Sequence, residues 1–140
     1  MKIFVDTNIF LDLVLGREKY QEALMLFDAI EQHKFEAYVL DITLINIDYV
    51  ARKQVKDLSD FLLSVNQHFR VVGATNDTIQ KALDLRSSDL EDSVQYVSAI
   101  ENHCEMIVTN DQGFPNHRIP LLASDQMCQT YLGGYRKIHV

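Results

Sequence analysis

The sequence predicts an α/β fold: a mostly parallel sheet of about five strands between helices, a three-layer α/β/α arrangement. Short apolar runs alternate with amphipathic segments along the whole of the 140 residues. That alternation is the mark of parallel strands joined by helical crossovers, with both sheet faces covered. The hydrophobic fraction is 47%, enough for a buried core in one domain spanning residues 1–140. Glycine and proline are scarce, five and two, so the connections are short and no linker is visible.

The elements follow from periodicity. Lys2 to Val5 reads as a buried strand that ends at Asp6. Ile9, Phe10, Leu13 and Leu15 have helical spacing, and Gly16 interrupts that helix. Glu18 to His33 carries the apolar stripe Ala23, Leu24, Leu26, Phe27 and Ile30. Ala37 to Leu40 is a second strand, and Asp41 to Arg52 a helix with Leu44, Ile45, Ile47 and Val50 on its apolar face. A further helix covers Asp60 to His68, a third strand Arg70 to Val72, and another helix Thr78 to Leu85. Ser88 and Glu91 have capping-box spacing and open a helix running to about Asn102. Met106 to Val108 is the fourth strand and Ile119 to Leu122 the fifth. Ser124 to Leu132 closes the chain as a helix, ended by Gly133-Gly134.

Composition excludes several function classes. The longest apolar stretches fall short of a membrane span. The opening Met1-Lys2-Ile3-Phe4-Val5 meets Asp6 at once, too soon for a secretory signal, so a cytoplasmic location is expected. Cys104 and Cys128 have no zinc-ligand spacing and read as reduced structural thiols. The net charge of −7 gives no long-range attraction to phosphate and disfavours general DNA binding. The one basic stretch, Arg136-Lys137 with His139, reads as a solvated tail. The five histidines are scattered and read as surface or helix-end residues. No Ser-His-Asp order, Walker-A loop or GxGxxG pattern is present.

In open parallel sheets the ligand site lies beyond the carboxyl ends of the strands. There the sequence places acids. Asp6 follows strand one, Asp41 strand two, and Asp111 strand four by a few residues; Glu91 and Asp92 open the helix before strand four. Clustered carboxylates repel one another and are tolerated when a hard cation neutralises them. A magnesium or manganese ion held this way lowers the pKa of a bound water and stabilises a leaving oxygen, as phosphodiester hydrolysis requires. Aspartate is also a common helix cap. Asp41 and Asp89 are read as caps and Asp48 as surface, while Glu91 stays open between cap and metal support. Pattern alone leaves Asp6, Asp92 and Asp111 open between the two roles.

The segments FVDTNIFLDLVLGRE (Phe4 to Glu18) and DLEDSVQYVSAIENHCEMIVTND (Asp89 to Asp111) resemble the two halves of PIN-domain proteins, especially bacterial toxins of the VapC type. The resemblance covers nearly the whole chain. It implies a five-stranded parallel sheet between helices and a site of four acidic or amide positions holding magnesium or manganese. Carried over by motif, Asp6, Asp92 and Asp111 are the catalytic, metal-binding acids. Thr7, Asn8, Glu91 and Thr109 support them. The second position departs from the family: where most active members carry a glutamate, this chain has Asn46, which binds metal through its amide oxygen but brings no charge. Gly113 likewise stands where many members carry a further aspartate. The resemblance implies a metal-dependent endoribonuclease acting on RNA, a small antitoxin as partner, and a homodimer. Asn46 keeps a second expectation in view, a catalytically weak PIN scaffold that binds RNA or protein. A receiver-like phosphorelay domain also clusters aspartates but needs a lysine near a late strand end, which this chain does not show.

Overall fold

The computed structural model describes residues 1–111, 113–115 and 118–133. The basic tail, Gly134 and His117 lie outside the described residues. In chain order the elements are β1 (Lys2–Val5), α1 (Thr7–Val14), α2 (Tyr20–Glu31), β2 (Glu36–Leu40), α3 (Asp41–Ala51), α4 (Leu58–His68), β3 (Arg70–Val72), α5 (Asn76–Asp84), α6 (Leu90–Glu101), β4 (Met106–Val108), β5 (Leu121–Leu122) and α7 (Ser124–Tyr131). The strands form a five-stranded sheet in the order β3-β2-β1-β4-β5. Each neighbouring pair is parallel. This is the predicted three-layer α/β/α architecture.

The alternation of side chains along each strand divides the core in two. Ile3 and Val5 of β1, Ala37 and Val39 of β2, and Met106 and Val108 of β4 point to one face. There they pack with Ile9, Phe10, Leu26, Phe27, Ile47 and Met127 from α1, α2, α3 and α7. Phe4, Tyr38, Leu40 and Ile107 point to the other face, against Ala82 of α5 and Val94, Val97 and Ala99 of α6. Strands buried on both faces explain why the sequence reads as short continuous apolar runs rather than as polar–apolar alternation.

Several boundaries differ from the sequence reading, each for a local reason. The fifth strand is only Leu121–Leu122, because Pro120 has no N–H to offer the ladder and contributes only its carbonyl, to the Ile107 N–H at 3.0 Å. Helix α5 starts at Asn76, two residues early. Thr75 caps it, accepting from the Thr78 N–H at 3.2 Å while the Thr78 hydroxyl accepts from the Thr75 N–H at 3.1 Å. Helix α2 stops at Glu31, and the chain turns through His33 at φ +62°. At α6 the cap is Asp89, not Ser88: its carboxylate accepts from the Asp92 N–H at 3.1 Å. Ser88 stands one residue too early, and Glu91 takes no part in capping.

The β1-side core is centred on Phe10. Its ring is 0% exposed and lies 5.0 Å from that of Phe27, edge to face, and 5.1 Å from that of Phe69. It joins α1 to α2 and to the end of α4. Phe10→Ala leaves a cavity in a fully packed site, and the expected loss is about 3–5 kcal/mol of unfolding free energy. Urea denaturation checks this; a loss below about 1 kcal/mol contradicts the central role given to Phe10.

Candidate active site

The chain enters the sheet at its centre, moves outward through β2 and β3, then returns across β1 to continue with β4 and β5. The strand order therefore reverses between β1 and β4. A crevice opens at such a point beyond the carboxyl ends of the strands. Asp6 is the first residue after β1, and its N–H extends the ladder to the Val108 carbonyl at 3.0 Å.

The Asp6 side chain is 1% exposed. One oxygen, Oδ1, accepts from the Gln95 amide of α6 at 3.0 Å; the other, Oδ2, accepts from the Thr109 hydroxyl beyond β4 at 2.9 Å. Burial pushes its pKa up to about 6; the two hydrogen bonds oppose that rise, and the charges of Glu91 and Asp111 add to it. Gln95 is 0% exposed, and its own Oε1 has no partner. An unpaired buried acceptor costs about 1–3 kcal/mol, so the amide is committed to Asp6 at the expense of its own oxygen.

Asp92, in the first turn of α6, is 6% exposed. Burial pushes its pKa up to about 8, helped by a hydrogen bond with Asp111 and by the charges of Asp6, Asp89 and Asp111. The Asp111 carboxyl is held below its usual range by the same bond and by the Gly113 N–H, which donates to Oδ1 at 2.8 Å. Of the pair, Asp92 is the carboxyl pushed towards its protonated form and Asp111 the one favoured as the anion. Thr109 also orients Asp111, its hydroxyl oxygen accepting from the Asp111 N–H at 3.0 Å.

A second group adjoins the first. The Thr7 hydroxyl donates to Glu91 Oε1 at 3.0 Å, and the Asn46 amide donates to the same oxygen at 3.0 Å. Thr43, 0% exposed, lies 2.7 Å from the Thr7 hydroxyl. Asn46 and Glu91 also line a cavity of about 360 Å³ walled by Leu40, Ile42, Ile79 and Val94.

Of the residues singled out in the sequence, Asp6, Thr109 and Asp111 form one hydrogen-bonded group and Thr7, Asn46 and Glu91 another, while Asp92 stands in the first turn of α6 next to Glu91. Asn8 is exposed and bonds to none of these acids among the described residues. Asp41 is not the cap expected of it but the first residue of α3, whose N-cap is Leu40; its carboxylate accepts from the Ile42 N–H at 2.7 Å, and Asp48 pairs with Arg52 on the surface. Sequence reasoning passed over Gln95 and Thr43. Gln95 sits three residues after Asp92, one helical step along the same face, a spacing that was available as a signal. Asn110, between Thr109 and Asp111, is structural: it ties Asp12 of α1, at 3.3 Å, to Ser124 of α7, at 3.1 Å.

Among the described residues, no group of three or more acidic, histidine or cysteine side chains is placed to hold a metal ion. No lysine or arginine among them makes a salt bridge to Asp6, Glu91, Asp92 or Asp111 either. The site therefore offers oxygen donors that are buried, mutually repelling and kept partly protonated. Oxygen donors of that chemistry suit a hard divalent cation, although in this arrangement they are not spaced to hold one.

The sequence pattern of the PIN domain matches residues 2–113. The chain is 27% identical over 138 residues to ribonuclease VapC1 of Aquifex aeolicus, covering 93% of this chain and 95% of that protein. Its fold resembles that of a toxin–antitoxin complex chain from Klebsiella pneumoniae, with TM-score 0.67 and 19% identity, over 87% of this chain and 97% of the other. It also resembles VapC20 of Mycobacterium tuberculosis, described as a sarcin-ricin-loop-cleaving toxin, with TM-score 0.64 and 16% identity, over 80% and 92% of the two chains.

The raised carboxyls make stability depend on pH. Both folded-state values, about 6 for Asp6 and about 8 for Asp92, lie above those of an unfolded chain. The fold gains from these groups at pH below about 4, where they are protonated in both states, and loses that gain as the pH rises through the folded values. For Asp6 alone the loss is on the order of 3 kcal/mol. In chelator, the melting temperature is expected to fall between pH 5 and pH 8.5, about the window set by these pKa values, and Asp92→Asn to flatten the upper part of that fall. A wild-type curve that is level or rising across the window contradicts the assignment.

Proposed function

The chain belongs to the PIN-domain family, and we propose that it is a divalent-metal-dependent endoribonuclease, the toxin of a VapBC-type pair. One arrangement supports this reading: Asp6 and Asp111 are joined through Thr109 beyond β1 and β4, and the charges of both bear on Asp92 in the first turn of α6. The relative named ribonuclease VapC1 supports the reaction, and the Klebsiella toxin–antitoxin complex supports the partner.

Asp6, Asp92 and Asp111 would hold magnesium or manganese. When bound, the ion supplies Lewis acidity to a phosphoryl oxygen and a water of lowered pKa. The chain's own residues do the rest. Thr109 and Gln95 fix both oxygens of Asp6, so the carboxylate needs no reorganisation when substrate arrives. The Gly113 N–H holds Asp111 ionised. Asp92 would have to release its proton to bind the ion, so affinity for the ion would rise with pH up to about 8.

Two partners complete the reading. The antitoxin is a small protein that covers the acids. The homodimer is supported by α3, where Ile42, Ile45 and Tyr49 recur at helical spacing and stand 39%, 62% and 85% exposed. Among the described residues, no helix is long and apolar enough to cross a membrane.

Purified protein is expected to cleave RNA with magnesium or manganese and to stop in chelator, while Asp6→Asn lowers the rate by roughly 100-fold or more. Equal cleavage by wild type and Asp6→Asn rejects the assignment; no cleavage together with no saturable manganese binding leaves the scaffold reading. Tyr49→Asp is expected to shift sedimentation from dimer to monomer, and an unchanged profile removes α3 from the interface.

A further inference from the structure

We propose that Glu91 supplies the carboxylate that position 46 lacks, and that Asn46 and Thr7 serve to hold it in place. This rests on the metal-site reading above and names a fourth ligand for it. Three elements converge on one oxygen of Glu91: Thr7 of α1 and Asn46 of α3 both donate to Oε1, at 3.0 Å each, from a residue of α6. Thr7 has one hydroxyl proton and spends it on Glu91; the buried Thr43 hydroxyl, 2.7 Å behind it, therefore donates to Thr7. The carboxylate stands at the end of a relay that begins inside α3.

The ordinary roles of a glutamate at this position do not account for that arrangement. Capping of α6 is done by Asp89. A favourable interaction with the helix dipole needs only a first-turn acid and no bonds to α1 or α3. Ion pairing is absent, since Glu91 has no lysine or arginine partner among the described residues. Both donors use Oε1, and Oε2 receives none among them. One oxygen is fixed and the other is left with open lone pairs, as a metal-ligating carboxylate requires. Thr7, which holds Glu91, directly follows Asp6 in the chain, so the Glu91 carboxylate is anchored beside the first of the acids.

The residue types at 46 and 91 are complementary. A glutamate at 46 would set a second negative charge against Glu91, whereas asparagine turns that contact into a charge-assisted hydrogen bond. The site then keeps four carboxylates, Asp6, Glu91, Asp92 and Asp111, with the second moved from α3 to α6. Asn46 becomes a positioning residue that acts through Glu91.

Manganese titrated calorimetrically into the chelator-treated full chain tests this apart from activity. Glu91→Gln keeps the shape and the acceptor on which Thr7 and Asn46 bond, and is expected to weaken manganese binding by about tenfold or more. The double variant Asn46→Glu with Glu91→Gln, which returns the charge to α3, is expected to recover most of that loss. Wild-type affinity in Glu91→Gln overturns the proposal, as does a double variant no better than Glu91→Gln although both melt cooperatively. Glu91→Asp provides a second check, with charge kept but reach shortened, and is expected to fall between the two. No saturable heat in wild type overturns this proposal and the metal site together. Manganese binding lost in Glu91→Gln, in a wild-type protein that cuts no RNA, supports Glu91 and rejects only the ribonuclease reading.

Discussion

A carboxylate buried without compensation is among the most costly groups a small domain can carry, and Asp6 is 1% exposed. Two donors from different elements make it tolerable, Gln95 on α6 and Thr109 beyond β4. Those bonds also lock α6 and the β4 end to the centre of the sheet, where the order of strands reverses. The geometry of the other acids follows. Asp92 rides on the same helix as Gln95, one turn earlier, and Asp111 follows Thr109 by two residues. Holding Asp6 thus sets the positions of both partners.

That arrangement works against stability in the free protein. The carboxyls stay partly protonated because neither burial nor a lysine or arginine relieves them. The apolar core on the two faces of the sheet carries the cost, through Phe10 and its aromatic neighbours on one side and Phe4, Ile107 and Val97 on the other. A fold that spends part of its stability on repelling acids at one edge is the usual signature of a site whose ligand is positively charged.

Much of this was legible in the sequence, and the limits have physical reasons. Strand and helix positions followed from periodicity, because a parallel sheet buried on both faces leaves unbroken apolar runs. Asp6, Asp92 and Asp111 stood out because strand ends and helix starts are local features. The errors were local too: Pro120 shortens β5, and Thr75 extends α5 through a cap that needs only two threonines three residues apart. Gln95, Thr43 and the bond between Asn46 and Glu91 were not legible. Each depends on which helix lies over which strand, and the partners are 89, 36 and 45 residues apart. Asn46 read as a deficit for the same reason: its meaning lies in a residue across the crevice, not in its neighbours along α3.

The overall charge sharpens what substrate recognition must be. At −7, and with an acidic site, the protein repels a polyanion at long range. A bound cation reverses the field only within a few ångströms, so it can hold one phosphate but not draw in a strand. On the proposed ribonuclease reading, affinity for RNA would then come from contacts that ignore phosphate charge, such as shape and the faces of bases. The cavity of about 360 Å³ that Asn46 and Glu91 line with Leu40, Ile42, Ile79 and Val94 is an apolar-walled surface of that kind. A ribonuclease built in this way would gain little from lower salt and would discriminate among RNAs by what fits beside the scissile bond. That is the opposite of a nuclease that grips any strand through a basic groove.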